Sequence, residues 1–354
     1  MKKLIISFVL VLTVASLSLA QTSKEEAFKP SGKVFGKIFV NYHYNFQNGS
    51  TQRNTFELQR TYLGYKYALS EKISVKVTFD AARRSAASSY TTFLKHAQLD
   101  WRVADKVKLS IGLIGLKQFD TQEKIWGHRY LFKSFQDEFK LGSSADLGVN
   151  SEIKIAKKLK VNLFVLNGEG YTNRQDENGR IKAGGNIIYT PVEGLTLKGY
   201  FDIYGGDFTR ADGTVTDTVS VKTFNVFAGY SAKKFRIGAE YTAQLDGKKF
   251  NQQAADHDIF GISAFAIYNI NKKFELFVDY LDIRSNVLEG DDRPWDYERD
   301  GEVIIGGIQY APVKGIKMAL NYRNYLHDNT DLDGSHDVLI PNSSELYLNV
   351  LYQF

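Results

Sequence analysis

The chain has 354 residues, with 45 Lys and Arg against 40 Asp and Glu, a formal net charge of +5 at pH 7, and no cysteine. The lack of cysteine excludes disulfides, Cys-ligated metal sites and a lipid-anchored lipoprotein, and so small a positive charge argues against nucleic acid as a partner. Tyr and Phe number 21 and 24 whereas Pro numbers only 5, which favours strands.

The first twenty residues have the pattern of a secretory signal peptide. Met1-Lys2-Lys3 precedes an apolar run at positions 4–19, and Ser18-Leu19-Ala20 supplies small residues for cleavage. This run is too short and wrongly flanked for a spanning helix. We expect residues 1–20 to be removed, which leaves 21–354 as a single exported domain beginning near Gln21. No later segment approaches the roughly 18 apolar residues that a membrane helix needs.

Apolar and polar residues alternate at a period of two along the rest of the chain. In the first such segment Ile38, Val40 and Tyr42 share one face, and Lys37, Asn41 and His43 share the other. About sixteen segments repeat this pattern, and we expect each to belong to a strand of roughly ten residues, the length with which a tilted strand crosses a bilayer. Their alternating cores are predicted at 34–44, 60–67, 73–80, 96–103, 109–111, 147–153, 161–165, 187–189, 195–201, 224–230, 235–241, 262–268, 274–280, 304–310, 316–322 and 346–354.

The last of these segments is the most regular. Leu346, Leu348, Val350, Tyr352 and Phe354 fall on one face, while Asn349 and Gln353 fall on the other. A terminal strand that ends on an aromatic residue is typical of a membrane barrel, because aromatics gather at the membrane interface and the last strand must pair to close the barrel.

Short and long connections alternate between the predicted strands. Short turns lie at 69–72, 104–106, 156–158, 191–194, 231–234, 271–273 and 312–315, and long polar connections include 205–220, 245–258, 284–302 and 326–344. Outer-membrane barrels have short periplasmic turns and longer outer loops. We therefore predict an all-β fold, a transmembrane antiparallel β-barrel of about 16 strands in the outer membrane of a Gram-negative bacterium. A barrel of roughly this size leaves an aqueous channel.

One long connection, the third loop, lies between Leu113 and Leu147 and does not alternate. It is rich in aromatic residues that favour burial, namely Trp126, Tyr130, Phe132, Phe135 and Phe139. We predict that the third loop folds inward, packs against the barrel wall and narrows the pore. An outward cap, or a loop that contacts a neighbouring subunit, remains an alternative.

Four short motifs resemble the phosphate-selective porin O and P family of outer-membrane channels. They are Phe56-x-Leu58-x-Arg60, Val77-Thr78-Phe79-Asp80, the segment 112–118 and Ser144-Ala145-Asp146-Leu147-Gly148. The resemblance covers most of the mature chain. It implies a sixteen-stranded, trimeric porin with an inward third loop, and rows of Arg and Lys along the channel in members that select phosphate.

Charged residues occur on the polar face of many predicted strands, and the basic ones outnumber the acidic ones. The basic residues are Lys37, Arg60, Lys66, Lys76, Arg102, Lys108, Lys154, Lys182, Lys198, Lys222, Arg236, Lys317 and Arg323; the acidic ones are Asp80, Asp100, Asp146, Glu152, Asp202, Glu240, Glu275, Asp279 and Glu345. The third loop mixes both signs. We predict a mild anion preference, with a general diffusion pore of paired charges as the alternative. The candidate pore-lining residues are Lys117, Asp120, Lys124, Arg129, Lys133, Arg60, Lys76, Asp80, Arg236 and Arg323.

Three other functions are alternatives to a passive pore, namely catalysis, calcium binding and sugar selection. Asp256-His257-Asp258 and Ser335-His336-Asp337 contain catalytic residue types, but neighbours in sequence do not form a triad. Asn329, Asp331, Asp333 and Gly334 resemble the start of a calcium loop, yet Ile340 stands where a bidentate acid is required. A sugar-selective porin would use stacked aromatics, and Tyr200, Tyr204, Phe277 and Tyr325 point inward on the predicted register.

The sequence therefore predicts a passive porin for small hydrophilic solutes or ions, without cofactor, metal or enzymatic activity. Its expected partners are the lipid bilayer and lipopolysaccharide, small anions or polar solutes, and two further copies of the chain in a homotrimer.

Overall fold

The computed structural model describes residues 28–47, 54–83, 89–175, 179–205, 208–209, 215–216, 219–248, 254–328 and 342–354. A closed antiparallel barrel of sixteen strands forms, so the predicted fold class is confirmed. Its strands are β1 (Ser31–Asn45), β2 (Asn54–Ala68), β3 (Ile73–Arg83), β4 (Tyr90–Ala104), β5 (Val107–Gly115), β6 (Ala145–Ala156), β7 (Leu159–Leu166), β8 (Ile181–Tyr189), β9 (Leu195–Gly205), β12 (Val221–Ser231), β13 (Phe235–Leu245), β14 (Ile259–Asn269), β15 (Phe274–Ser285), β16 (Gly301–Tyr310), β17 (Ile316–His327) and β18 (Ser343–Gln353). A separate two-stranded hairpin pairs β10 (Phe208–Thr209) with β11 (Val215–Thr216).

The C-terminal strand closes the barrel by pairing with the first. In β1 and β18, Val40 stands opposite Val350 and Lys37 opposite Gln353. Gly36 and Phe354 exchange two backbone hydrogen bonds of 3.1 and 3.2 Å. Closure gives each of the sixteen barrel strands a hydrogen-bonded neighbour on both sides, as the hydrocarbon region of a bilayer requires.

The seven short connections predicted from the sequence all occur, and all lie at one end of the barrel, here called the short-turn end. They join β2–β3, β4–β5, β6–β7, β8–β9, β12–β13, β14–β15 and β16–β17. The longer connections join the strands at the opposite end, the long-loop end. The alternation of loop length therefore comes from strands that run up and down, with each end of the barrel using one kind of connection.

The outer face of the barrel is apolar. Side chains such as Leu276, Val278, Ile304, Leu320 and Tyr322 are 40–49% exposed there, as expected of a surface that meets lipid rather than water. Among the described residues, no helix is long and apolar enough to cross a membrane.

The structure corrects two expectations about the inner face. Lys222 stands beside Ile203 on the outer face, where it pairs with Asp246 at 3.1 Å near the long-loop end, and so is not a lumen residue. Alternation along β12 places Lys222 on the same face as Phe224 and Val226, and both of these are exposed on the outer face of the barrel. In addition, the inner face of β12–β18 is mixed rather than uniformly polar. Apolar side chains, namely Phe227, Phe265, Ile267, Phe277, Leu281, Val303 and Ile305, are buried there among buried polar ones such as Thr223, Asn225, Glu240, Asp279 and Arg323.

Candidate pore constriction

The third loop, residues 116–144, packs against the β12–β18 side of the barrel interior. It contains helix α1 (Asp120–Trp126) and the single turn α2 (Phe135–Glu138). Trp126, Tyr130 and Phe135 are at most 2% exposed and belong to one cluster with the apolar inner wall. The predicted inward fold is confirmed, and the outward cap is wrong.

Aromatic contacts fix the loop on this wall. The Trp126 ring lies 5.4 Å from Phe265 and 6.0 Å from Phe277 between ring centroids, within the range of favourable aromatic pairs. Phe135 packs over Gly261 so closely that a Cβ at position 261 would stand 2.0 Å from the ring. Glycine is therefore required at this point of β14, since any side chain would push the loop off the wall.

Polar side chains of the wall satisfy the buried polar groups of both loop helices. The Glu240 carboxylate accepts hydrogen bonds from the amides of Gln122 (3.0 Å), Gln136 (3.1 Å) and Asn225 (2.8 Å). Gln122 belongs to α1 and Gln136 to α2, so one wall carboxylate holds both. Buried polar groups need such partners, because an unsatisfied one costs about 1–3 kcal/mol.

Three basic residues of the wall bind carbonyl groups of the loop. Lys198 Nζ donates to Lys117 O at 2.9 Å, Arg236 Nε to Ile125 O at 3.0 Å, and Arg323 Nη2 to Leu131 O at 3.0 Å. Arg236 also pairs with Glu275 at 3.3 Å. Arg236 and Arg323 therefore lie inside the barrel, as their place in the alternation predicts, with their guanidinium groups anchoring the loop.

Two cavities lie in the interior beside the third loop. The lower one is lined mainly by the third loop, β1–β5, β17 and β18, and the upper one by the third loop, residues 169–173, β13–β15 and the β15–β16 connection. The lower cavity, toward the short-turn end, has a volume of about 560 Å³. The upper cavity, toward the long-loop end, has a volume of about 860 Å³. Asp137 and Ser144 line both cavities, so the two cavities adjoin beside these residues. This boundary is here called the narrow point.

On the wall side of this narrow point, basic residues surround a buried carboxylate. Asp80 is 1% exposed and accepts a 2.5 Å hydrogen bond from the Tyr171 hydroxyl. Arg60 and Lys95 stand 3.4 and 3.8 Å from the same carboxylate oxygen. Two cations face one anion here, which leaves the wall with a positive excess.

On the loop side, Arg129 lies between two acids. It stands 3.1 Å from Glu123 and 2.9 Å from Asp137. Burial raises the pKa of the Glu123 carboxyl above its usual range although Arg129 opposes this. Burial acts in the same direction on Asp137, but the nearby cations Arg129, Lys133, Lys95 and Arg60 together outweigh it and hold the pKa of Asp137 below the usual range.

The remaining candidate residues are distributed over the passage. Lys117 and Asp120 line the lower cavity and pair at 3.2 Å, and Lys124, also paired with Asp120, is largely exposed. Lys133 lines the upper cavity and pairs with Glu138 at 3.4 Å. Lys76 lines the lower cavity. Of the candidate residues, Lys76, Lys117, Asp120 and Arg129 therefore line the lower cavity and Arg60 and Lys133 line the upper one, whereas Asp80, Lys124, Arg236 and Arg323 line neither.

Sequence reasoning missed Lys95 because of a β-bulge. Strict alternation from Ala97 and Leu99 places Lys95 on the outer face, but the register of β3 and β4 shifts between Thr78 and Phe79 and turns Lys95 inward. Its Nζ donates to Ser144 Oγ at 2.7 Å. A lysine on an otherwise apolar lipid face is the signal that could have indicated this bulge.

The structure gives little support to the alternative sites, which are the possible catalytic runs, the stacked aromatics of a sugar channel and the calcium loop. Asp256 N donates to Asp246 Oδ1 at 3.1 Å, Asp246 N donates to Asp258 Oδ1 at 3.0 Å, and His257 bonds the carbonyl of Ala255. Tyr200 and Phe277 point inward as predicted, but they are buried in packing contacts with Phe164 and with Trp126. The segment 329–337, with the possible calcium loop at Asp331 and the Ser335-His336-Asp337 run, lies outside the described residues. No cluster of three metal-binding side chains occurs in the part of the chain that the structure describes.

No protein-family model matches the chain, and no curated protein sequence matches it. Several solved structures resemble it in fold. OmpF of Salmonella typhi, in complex with daunomycin, aligns over 91% of this chain and 97% of its own at 12% identity with a TM-score of 0.65. The anion-selective porin of Comamonas acidovorans aligns over 92% and 100% at 10% identity (TM-score 0.63). The trimer form of OmpT, an outer membrane protein of Vibrio cholerae, aligns over 92% and 99% at 15% identity (TM-score 0.61). The chain therefore has the fold of the outer-membrane porins of Gram-negative bacteria.

Proposed function

We propose that the protein is a passive channel in the outer membrane of a Gram-negative bacterium, exported by its signal peptide, for small hydrophilic solutes and ions. The observation that carries this proposal is the pair of cavities, both lined by charged side chains, that adjoin beside Asp137 and Ser144 inside a closed barrel with an apolar outer face. The channel acts without cofactor and without enzymatic activity, because selection needs only the width and charge of the passage.

The charge of the lower cavity supports a mild anion preference. Lys37, Lys76, Lys95, Lys108, Lys117, Arg129 and Lys317 line it, against Asp120, Glu123 and Asp137. Among the described residues, no ion pair within 4.0 Å involves Lys37, Lys76 or Lys317. Such cations remain available to an anion in the passage. Inorganic phosphate is one candidate, as the resemblance to phosphate-selective porins implies.

We further propose that the protein works as a homotrimer, with lipid and lipopolysaccharide around its apolar outer face. The trimer form of Vibrio cholerae OmpT supports this assembly by analogy of fold. Each protomer would carry its own pore, because the two cavities are lined by residues of one chain.

The test is single-channel recording in a planar bilayer under a KCl gradient, repeated with added phosphate. We expect conductance in steps of three, a modest reversal potential of anionic sign, and little block by phosphate. Strong block by phosphate would mean that the lysines converge on a specific binding site. The complete absence of conductance from folded protein would overturn the channel proposal.

The anion preference should increase as the pH falls from neutral. Because the pKa of Glu123 is raised, this acid takes up a proton above the ordinary glutamate pKa of about 4.3. Asp137, with a lowered pKa, stays ionised in that window. Arg129 keeps its charge, so the narrow point loses one negative charge and becomes more positive. Reversal potentials measured between neutral and mildly acidic pH check this sign.

Glu123→Gln is the control for this pH effect. The amide still accepts a hydrogen bond from Arg129 but does not titrate. The variant should show the raised anion preference already at neutral pH, and its reversal potential should change less on acidification. An unchanged pH response in Glu123→Gln would assign the titration to another group.

A further inference from the structure

The start of the fourth loop, residues 167–175, folds back over the end of the third loop at the narrow point. Gly168 N donates to Asp146 Oδ2 at 2.9 Å, and Tyr171 N donates to Ala145 O at 3.1 Å. These bonds fold the fourth loop down onto the first residues of β6 at the long-loop end of the barrel. The start of the fourth loop therefore enters the passage, whereas a loop at this end of the barrel would be expected to project outward.

Gly170 makes this path possible. Its φ is +77°, in the left-handed region that side chains disfavour, and a Cβ at position 170 would stand 2.7 Å from Ser143 Oγ. The backbone of the fourth loop thus rests directly on the end of the third loop. The two loops form one layered edge of the passage, with Ser144 beneath and Tyr171 above.

Tyr171 reaches from this edge to the neighbouring part of the wall, formed by β3 and β4. Its hydroxyl donates to Asp80 on β3, and its ring centroid lies 4.7 Å from Lys95 Nζ. The ring of Tyr62 stands 5.0 Å from the same Nζ. The Lys95 ammonium therefore faces two aromatic rings, a cation–π arrangement that replaces part of its hydration.

We propose that Tyr171 is a selectivity-determining residue of the channel, through which the fourth loop forms a second half of the constriction beside the third loop. Its ring occupies part of the passage and limits conductance. The same ring shields the charge of Lys95 from passing ions, and its hydroxyl holds Asp80. The channel is consequently narrower and less anion-selective than its basic wall alone would make it. This inference rests on the proposed channel function.

The first test compares Tyr171→Ala with the parent chain in planar bilayers. The variant should have a conductance about 1.5-fold larger and a reversal potential shifted toward anions, because the narrowest point dominates both properties of a pore. Tyr90→Ala is the matched control, since Tyr90 is 52% exposed at the long-loop end of β4, away from both cavities. It should conduct as the parent does.

Lys95 should carry the shift in selectivity. The anion shift caused by Tyr171→Ala should disappear when both proteins of the comparison also carry Lys95→Gln, a double-mutant test of coupling between neighbouring residues. A shift of equal size without Lys95 would show that the ring does not act by shielding this ammonium.

The natural chain has no cysteine, so Tyr171→Cys places a unique thiol at the narrow point. Labelling this variant in the bilayer with benzyl methanethiosulfonate restores an aromatic ring and should lower the conductance toward the parent value, whereas Tyr90→Cys should not respond. Because the comparison is made on one folded, conducting channel, misfolding cannot explain it. A conducting parent with unchanged Tyr171→Ala and no response to labelling overturns this inference alone. A parent that does not conduct overturns the channel proposal instead.

Discussion

Replacing Trp126 with alanine is expected to increase the single-channel conductance about twofold and to make the current fluctuate, because pore width and occupancy set conduction. Trp126 is 2% exposed between the third loop and the inner wall. Truncating a buried tryptophan typically costs about 3–5 kcal/mol, and here that cost falls on the attachment of the loop rather than on strand pairing. The loop should therefore sample positions away from the wall, with a wider passage in some of them.

The barrel itself should survive this substitution. Its sixteen strands are held by a closed ladder of backbone hydrogen bonds to which Trp126 does not contribute. The loop also keeps the polar bonds of Glu240 and Arg323. Heat-modifiable migration on an SDS gel should thus match the parent chain, while bilayer recordings differ.

Trp101→Ala is the matched control. Trp101 lies on the outer face of β4 near the short-turn end and is 41% exposed. Its loss removes an indole of the same size from a surface that has no contact with the third loop, so conductance and noise should stay at the parent level. Equal changes in both variants would mean that conductance reports general damage to the barrel. A Trp126→Ala channel with the conductance and current noise of the parent would mean that the polar bonds alone hold the loop on the wall.

The sequence predicted the strands and the connections because those features have a local cause. Alternation at a period of two follows from the pleat of a strand between lipid and interior. Each short turn is bounded on both sides by such alternation, so the order of short and long connections could be read directly. The burial of the third loop was also predictable, since aromatic residues such as Trp126 and Phe135 have no other place in a polar loop.

The details of the interior depend on contacts between residues distant in sequence, which the alternation of apolar and polar residues does not predict. β14 reads Ile-Phe-Gly-Ile-Ser-Ala-Phe-Ala-Ile at positions 259–267, apolar on both faces, and nothing local shows that its inner face will be covered by the third loop. Arg323 was assigned to the correct face, yet its bond to Leu131 O joins residues 192 positions apart. The bulge that turns Lys95 inward depends on the pairing of β3 with β4.

The largest effect on selectivity is expected from reversing the charge of Lys37, Lys76 and Lys317 in the lower cavity, for which no ion pair occurs among the described residues. In Lys37→Glu/Lys76→Glu/Lys317→Glu each substitution changes the local charge by two units at a residue that lines the passage. The balance of the cavity then becomes negative, and a ring of one sign selects the opposite ion. We expect the reversal potential under a KCl gradient to change sign, from mildly anion-selective to cation-selective.

A second triple variant distinguishes the effect of charges inside the cavity from that of charges at the short-turn rim of the barrel. Lys157→Glu/Lys233→Glu/Lys314→Glu makes the same change of net charge at exposed residues in the short turns. Charges in water are screened over about 10 Å at 0.1 M salt and about 3 Å at 1 M, whereas charges that line a narrow passage act on each ion at short range. The rim variant should therefore shift the reversal potential little, and less still at high salt, while the inversion in the cavity variant persists. Equal shifts in both variants, both lost at high salt, would show that the field around the mouth sets selectivity and that the lysines of the cavity do not.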